Sequence, residues 1–255
     1  MIGISACIIS FQEEDRIGAC LESLGFCDEL LVLDSGSTDR TREVAAAAGA
    51  RVEVQVPFLG HRDQKQRCVE LARNDWVLCL DCDERVTESL ALEIRNRLER
   101  EPEGIAGFRV PRRNRYLGKW MRFGSFWPDR KLRLFDRRRA RWGGTDPHDR
   151  VEVTGGGEVV DLASPIEHDS YRDFAEHRRT VENFAAIAAR AMAEEGRRAT
   201  RIDPWARGAA ALCKAWFGKA GVLDGWRGVV AGWMSARYDY LKYRELRRRG
   251  RTGGG

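Results

Sequence analysis

The stretch that decides the fold is Trp76-Val77-Leu78-Cys79-Leu80-Asp81-Cys82-Asp83-Glu84. Five apolar residues in a row read as a buried strand. The carboxylates follow at once, so Asp81 and Asp83 emerge at the strand's C-terminal end. On an extended backbone residues i and i+2 point to the same side. This predicts an acidic pair with Cys82 turned away. Ligands of open α/β sheets bind outside the carboxyl ends of strands. Two hard oxygens beside an open position suit Mg²⁺ or Mn²⁺, which can also hold a diphosphate. A polar turn closing a strand would carry the same letters, so the flanking sequence has to arbitrate.

Upstream, residues 4–10 form a short apolar run, followed by Ile17, Leu21 and Leu24 at helix spacing. Residues 30–34 read as a second strand, which ends in Ser35-Gly36-Ser37-Thr38-Asp39, a turn rich in helix-capping residues. The next helix runs through Val44 and the alanines to Gly49, a C-cap by type. A third strand at 52–54 and a helix over 65–72 lead to the strand that ends at Asp81. The order β-α-β-α-β-α-β predicts a parallel sheet with covering helices.

The chain has 255 residues, 43% of them hydrophobic, enough for a substantial core. Its seven cysteines are odd in number and irregularly spaced, which reads as reduced thiols and a cytoplasmic chain. Cys79 and Cys82 lack a second pair, and in a strand they would face opposite ways, which argues against a metal or redox pair. The opening strand has no basic n-region, so no signal peptide is read. No stretch approaches the roughly 20 uncharged apolar residues of a membrane span.

Net charge is only +5, but its distribution is uneven. Residues 109–142 carry about a dozen Arg and Lys, with only Asp129 and Asp136 as acids and seven aromatic residues interleaved. Such a mixture suits single-stranded nucleic acid, a phosphorylated saccharide, or an anionic membrane surface. A solvated face would account for many of the arginines. No RNA-binding fingerprint is visible. Around Leu132 and Leu134 the charges alternate, which predicts a half-exposed strand presenting Lys131 and Arg133 on one face, with Arg130 beside them.

The carboxylate pattern and its neighbours resemble inverting family-2 glycosyltransferases of the GT-A fold. Within these they resemble the bacterial lipopolysaccharide core transferases that add a hexose to heptose. The resemblance rests on residues 5–14, 32–41 (VLDSGSTDRT), 64–84, 111–135 (PRRNRYLGKW…WPDRKLRLF), 148–153 (HDRVEV) and 168–173 (HDSYRD). It implies a Rossmann-like, mainly parallel sheet flanked by helices, with a C-terminal helical extension. Residues 1–110 would be the nucleotide-sugar-binding α/β part. Residues 111–170 would be the acceptor side of the same catalytic domain, and 171–255 a helical, membrane-associating region.

Residue by residue, the resemblance implies that Ser10, Phe11 and Glu13 border the nucleoside. Asp34 lies on the uracil side, where many members carry a second Asp and this chain has Ser35. Gln64 and Lys65 belong to a helix approaching the donor. Asp83, with Asp81 and His168, would hold Mg²⁺ or Mn²⁺ against a nucleotide-sugar, a UDP-hexose. Asp149 takes the place of the general base, more often Glu in this group, and Asp146 is its rival. Arg130, Lys131 and Arg133 would contact phosphates.

The implied chemistry needs such groups. An acceptor hydroxyl that attacks the anomeric carbon must lose a proton, and a nucleoside diphosphate must leave. A glycosidase would instead need two carboxylates flanking one bond. The implied acceptor is a lipid-linked saccharide, the lipopolysaccharide core, reached by an enzyme lying peripherally on the inner face of the cytoplasmic membrane. Polyprenyl phosphate or another envelope glycan is the alternative acceptor. An RNA-binding protein using 109–142 is the alternative outside enzymes, although no nucleic acid partner is expected; an oligomer is possible.

Residues 171–195 read as an Ala-rich helix. Residues 205–243 then mix Trp, Leu, Val and Gly with isolated cations, a composition typical of membrane interfaces. Helices packing on the core or on a dimer partner would look alike. The basic stretch 244–251 leads to a Gly-rich end.

Overall fold

Four parallel strands carry the N-terminal part of the sheet: β1 (Ile4–Ser10), β2 (Glu29–Asp34), β3 (Arg51–Val54) and β4 (Trp76–Leu80), in the order β3-β2-β1-β4. The helices between them are α1 (Ile17–Glu22), α2 (Thr41–Ala47) and α3 (His61–Leu71). The geometry is that of a computed structural model, which describes residues 2–100, 103–127, 129–145 and 148–252.

All five residues of β4 are buried, and the two faces of the strand feed different cores. Trp76, Leu78 and Leu80 join one cluster with Ile17, Leu21 and Ile94, while Val77 and Cys79 join another with Cys68, Val69 and Phe135. An unbroken apolar run is what a strand covered on both faces requires.

Beyond β4 the sheet turns antiparallel. The later elements are β5 (Glu84–Val86), α4 (Glu88–Arg100), β6 (Ile105–Tyr116), β7 (Lys119–Trp120), β8 (Arg130–Asp136), β9 (Ala140–Thr145), β10 (His148–Val153), β11 (Glu158–Asp161) and β12 (Ile166–Tyr171). The order continues β4-β8-β6-β12-β5, with β11 parallel to β6, and β9 and β10 forming a separate pair. β8 lies against β4 with Leu134 opposite Leu78 and against β6 with Leu134 opposite Phe108. Gly107 permits this last approach, since a Cβ there would meet the Leu134 carbonyl oxygen at 2.7 Å.

Two compact units result. The first holds the residues up to Arg112, Arg130–Gly144 and His148–His168, and so the whole parallel sheet. The second holds Arg113–Asp129, Thr145 and the chain from Asp169 onward. In it α5 (Phe174–Glu194), α6 (Asp203–Cys213) and α7 (Trp226–Thr252) pack on one another. The mixed α/β class and the C-terminal helical extension are those the sequence predicts. The basic stretch 244–251 is helical, part of α7. Among the described residues no helix is long and apolar enough to cross a membrane.

In the second unit the buried Tyr116 hydroxyl lies 2.8 Å from Nδ1 of His177, whose ring stacks on Tyr171. Burial pushes the His177 pKa down to about 4. The unfolded chain therefore binds a proton that the folded chain refuses between about pH 6.5 and 4. Stability is expected to fall as pH drops through that window. The thermal midpoint of His177→Phe should depend less on pH there than that of the wild type, even if its absolute value is lower.

Candidate active site

Asp81 is the first residue past β4, and the strand stops there for a local reason. The Asp81 backbone N–H donates to Glu84 Oε2 at 3.0 Å, and the Glu84 N–H donates to the Asp81 carbonyl at 3.0 Å. These two bonds close a turn across Cys82 and Asp83. The expected extended pair with both carboxylates on one side is therefore not what forms. Asp81 and Asp83 engage different partners.

Asp81 is held between two cations. Its Oδ2 accepts from Arg133 Nη2 at 2.7 Å, and its Oδ1 lies 3.2 Å from Lys65 Nζ. Burial works to raise its pKa, but the Lys65 and Arg133 charges outweigh it and hold the carboxyl well below the usual carboxylate range. Arg133 also donates to Glu84 Oε1 at 2.7 Å, and Arg112 Nη1 reaches the same oxygen at 3.2 Å. Glu84 is completely buried. Its two oxygens thus satisfy two guanidinium groups and the Asp81 backbone. The sequence reading assigned neither Glu84 nor Arg112 to the site. The signal available was an acid three residues after Asp81 and an Arg in a basic run, neither of which names its partner.

Lys65 extends this network to the second candidate carboxylate. Its Nζ lies 2.9 Å from Asp149 Oδ2, on β10, and 4.7 Å from the centre of the Trp142 ring. Burial tends to lower the Lys65 pKa, but Asp81 and Asp149 overcome this and raise it. Helix α3 is fastened here because the Trp142 N–H donates to Gln66 Oε1 at 3.0 Å and Arg62 donates to the Gly144 carbonyl at 3.3 Å. One ammonium thus bridges the carboxylate at the end of β4 to the one expected to act as base. Arg150 pairs with Glu152 rather than with Asp149. Asp146, the rival, lies outside the described residues.

Asp83 faces His168 on β12, with Oδ2 and Nε2 3.2 Å apart. β12 is aligned for this by its antiparallel register with β5, His168 opposite Glu84. Among the described residues no three His, Cys, Asp or Glu side chains converge as a ready cation cage. Asp83 and His168 offer one oxygen and one nitrogen, a pair that fits a Mg²⁺ or Mn²⁺ completing its sphere with ligand oxygens and water. Asp81, predicted as a direct ligand, has both oxygens beside cations instead.

The ends of β1 and β2 are laced together. Asp34 is fully buried: its Oδ2 accepts from the Ser10 and Ser37 hydroxyls and its Oδ1 from the Gly36 and Ser37 N–H groups. Read as a nucleoside contact, Asp34 instead spends its oxygens on shaping this loop. The Glu13 N–H donates to the Thr41 hydroxyl at 2.8 Å, and Phe11 stands 58% exposed. Gln64, fully buried, donates to the Ser35 hydroxyl at 3.1 Å. The loop geometry accounts for the many Ser, Thr and Asp of residues 34–41.

The basic residues separate. Arg133, read as half-exposed and phosphate-facing, is 5% exposed and internal. Lys131 is exposed. Arg130 is exposed and donates to the Leu162 carbonyl at 3.0 Å, with Asp161 at 3.7 Å. Tyr116, Phe135 and Trp142 are buried. Of the seven interleaved aromatic residues these three are internal, while Phe123 and Trp127 are exposed.

Residues 5–159 match the family model described as "Glycosyl transferase family 2". The chain belongs to that family. That membership favours an enzyme over the RNA-binding alternative. The chain is 34% identical over 143 residues to the lipopolysaccharide core biosynthesis glycosyltransferase LpsC of Rhizobium meliloti (strain 1021), covering 54% of this chain and 53% of that one. It is 41% identical over 92 residues to an uncharacterised glycosyltransferase of Rickettsia bellii (strain RML369-C), covering 36% of this chain and 31% of that one. The chain thus spans about half, or less, of the length of these relatives. Among solved structures it is similar to glucosyl-3-phosphoglycerate synthase from Mycobacterium tuberculosis in complex with Mn²⁺, UDP and phosphoglyceric acid. That similarity has a TM-score of 0.36 and 31% identity over 45% of this chain and 44% of the other.

Proposed function

We propose that this glycosyltransferase moves a hexose, with inversion, from a nucleotide-sugar to a hydroxyl of a lipid-linked saccharide, most closely the lipopolysaccharide core. The observation that carries the reading is the bridge from Asp81 through Lys65 to Asp149, at 3.2 and 2.9 Å. It links a separate carboxylate to the end of β4, the edge where open α/β sheets take their ligands. The similarity to LpsC supports the lipopolysaccharide acceptor.

In this reading the nucleoside lies against the loop built by Ser10, Phe11, Glu13 and Asp34, with Gln64 supporting it from below. Asp34 acts by holding Gly36 and Ser37 rather than by touching the base. Asp83 and His168 would hold Mg²⁺ or Mn²⁺, which when bound supplies charge stabilisation to a departing diphosphate. Asp149 takes the proton of the attacking hydroxyl. Lys65 positions Asp149 and, once a donor is present, offers its ammonium to developing negative charge. Arg133 and Glu84 keep Asp81 in place. Exposed Arg130 and Lys131 are the candidates for phosphate contacts.

Functionally, the division would be a nucleotide-sugar part over 1–110, an acceptor side over 111–170 and a membrane-associating region over 171–255. Cytoplasmic, peripheral placement on the membrane follows from the acceptor.

The test is thermal stabilisation by a panel of nucleotide-sugars with and without Mn²⁺. A rise in midpoint for one UDP-hexose, present with Mn²⁺ and lost with chelator, is expected. No stabilisation by any nucleotide-sugar in the presence of metal would overturn the reading.

A further inference from the structure

Between Cys213, where α6 ends, and α7, the chain forms a short strap: a π-turn (Lys214–Gly218) followed by a 3-10 turn (Gly221–Asp224). Three glycines let this strap lie flat on the start of α7. A Cβ on Gly228 would meet the Gly221 carbonyl oxygen at 1.8 Å, one on Gly232 the Trp216 ring at 2.3 Å, and one on Gly221 the Ala215 carbonyl oxygen at 2.5 Å. Trp216 is locked inward, with its Nε1 donating to the Val229 carbonyl at 3.1 Å. Asp224 is buried, accepting from the Arg122 and Phe123 N–H groups.

This close packing holds large apolar side chains outward. Phe217 is 73% exposed, Leu223 65%, Trp226 58% and Trp233 57%. Trp226, Val229 and Trp233 recur at i, i+3 and i+7, so they share one stripe of α7, while Ala231 and Met234 of the same helix are buried. Large apolar side chains exposed this close together in the sequence point to a partner.

Charge says which partner. From Pro204 to Tyr238 the sequence has five cations (Arg207, Lys214, Lys219, Arg227, Arg237) and one acid, Asp224. That acid is the buried one and Arg237 is paired with Glu182, so the charged residues on and beside the strap that remain are Lys214, Lys219 and Arg227. Lys214 and Lys219, at the two ends of the π-turn, are exposed. Aromatic residues flanked by Lys and Arg fit the interface of an anionic bilayer, where rings sit at headgroup depth and cations are drawn to the lipid charge.

We propose that this strap and the first turns of α7 form a membrane-docking element that inserts Phe217, Leu223, Trp226 and Trp233 into an anionic leaflet. This deepens the lipid-linked acceptor reading, and it narrows the attachment expected over 205–251 to residues 214–233. The basic end of α7 is less suited, since Arg248 and Arg249 are both paired with Glu245.

The test is co-sedimentation of the full chain with phosphatidylglycerol-containing vesicles and with pure phosphatidylcholine vesicles, at low and high salt. Wild-type chain should prefer the anionic vesicles, and high salt should weaken its binding. The variant Phe217→Ser/Leu223→Ser/Trp226→Ser/Trp233→Ser should bind at least about tenfold more weakly. Its thermal midpoint and its nucleotide-sugar stabilisation should be unchanged, so loss of docking is separable from loss of the donor site. Lys214→Glu/Lys219→Glu gives an independent reading on exposed residues alone and should also weaken binding to anionic vesicles. Wild-type binding to both vesicle types alike, or undiminished binding by both variants, would overturn the proposal. So would a wild-type dimer that ignores vesicles and dissociates in the quadruple variant, because the face would then belong to a second copy.

Discussion

Asp149→Asn is expected to lower kcat by at least about 10²-fold, within the roughly 10²–10⁴ that a positioned general base contributes. Asparagine keeps the shape of the side chain but cannot accept the hydroxyl proton. Lys65 retains Asp81 at 3.2 Å after the change, so the donor side of the network keeps its anchor. Donor KM and metal-dependent stabilisation by nucleotide-sugar should therefore change little, which separates a lost base from a disturbed site. Steady-state kinetics with varied donor and varied acceptor reads both quantities. If Asp146→Asn loses that activity and Asp149→Asn keeps it, the base is the other carboxylate.

Asp83→Asn should have the larger effect. A metal that offsets charge on the leaving diphosphate contributes several kcal/mol in the transition state, so its loss is expected to slow turnover by roughly 10³-fold or more. Asp83 and His168 have side-chain exposures of 21% and 14% and face each other, so neutralising Asp83 should leave the fold intact. Thermal midpoint without ligand should stay near wild type, while the Mn²⁺-dependent stabilisation by nucleotide-sugar disappears. Asp81→Asn should behave differently. It removes one of the two carboxylates facing each of Lys65 and Arg133, which keep only Asp149 and Glu84, and its midpoint should drop even without ligand, because buried cations lose part of their counter-charge. Full activity of Asp83→Asn, or of wild type in excess chelator, would sink the metal assignment.

Much of the site was legible along the chain, and the part that was not has a common cause. The ends of β1, β2 and β4 announce themselves through apolar runs that stop at polar residues. Local chemistry also foretells the turn after Asp34, because Ser and Gly there satisfy the carboxylate within three residues of it. The partners of Asp81 are not foretold. Arg130, Lys131 and Arg133 look alike in sequence, yet Arg133 is internal and the other two are exposed. Which one goes inside depends on β8 pairing antiparallel with β4, fifty residues away in the chain. The extended pair expected at Asp81 and Asp83 does not form because Glu84, an acid that reads as surface, is buried and accepts the Asp81 N–H.

By itself, then, the sequence determined the α/β class, the strand whose end carries the acidic motif and the helical character of the C-terminal region. These rest on periodicities of 2 and 3.6 residues and on turn residues, all local properties of the backbone. Only the tertiary structure decided that Lys65 bridges Asp81 to Asp149, that Asp83 meets His168, that Asp34 is enclosed, and that Phe217, Leu223, Trp226 and Trp233 point outward. Each of those outcomes depends on which distant element lies alongside. A charge or a ring is neutral about its partner until the chain has folded, and burial then decides whether that partner must be a counter-ion, a backbone amide or something outside the molecule.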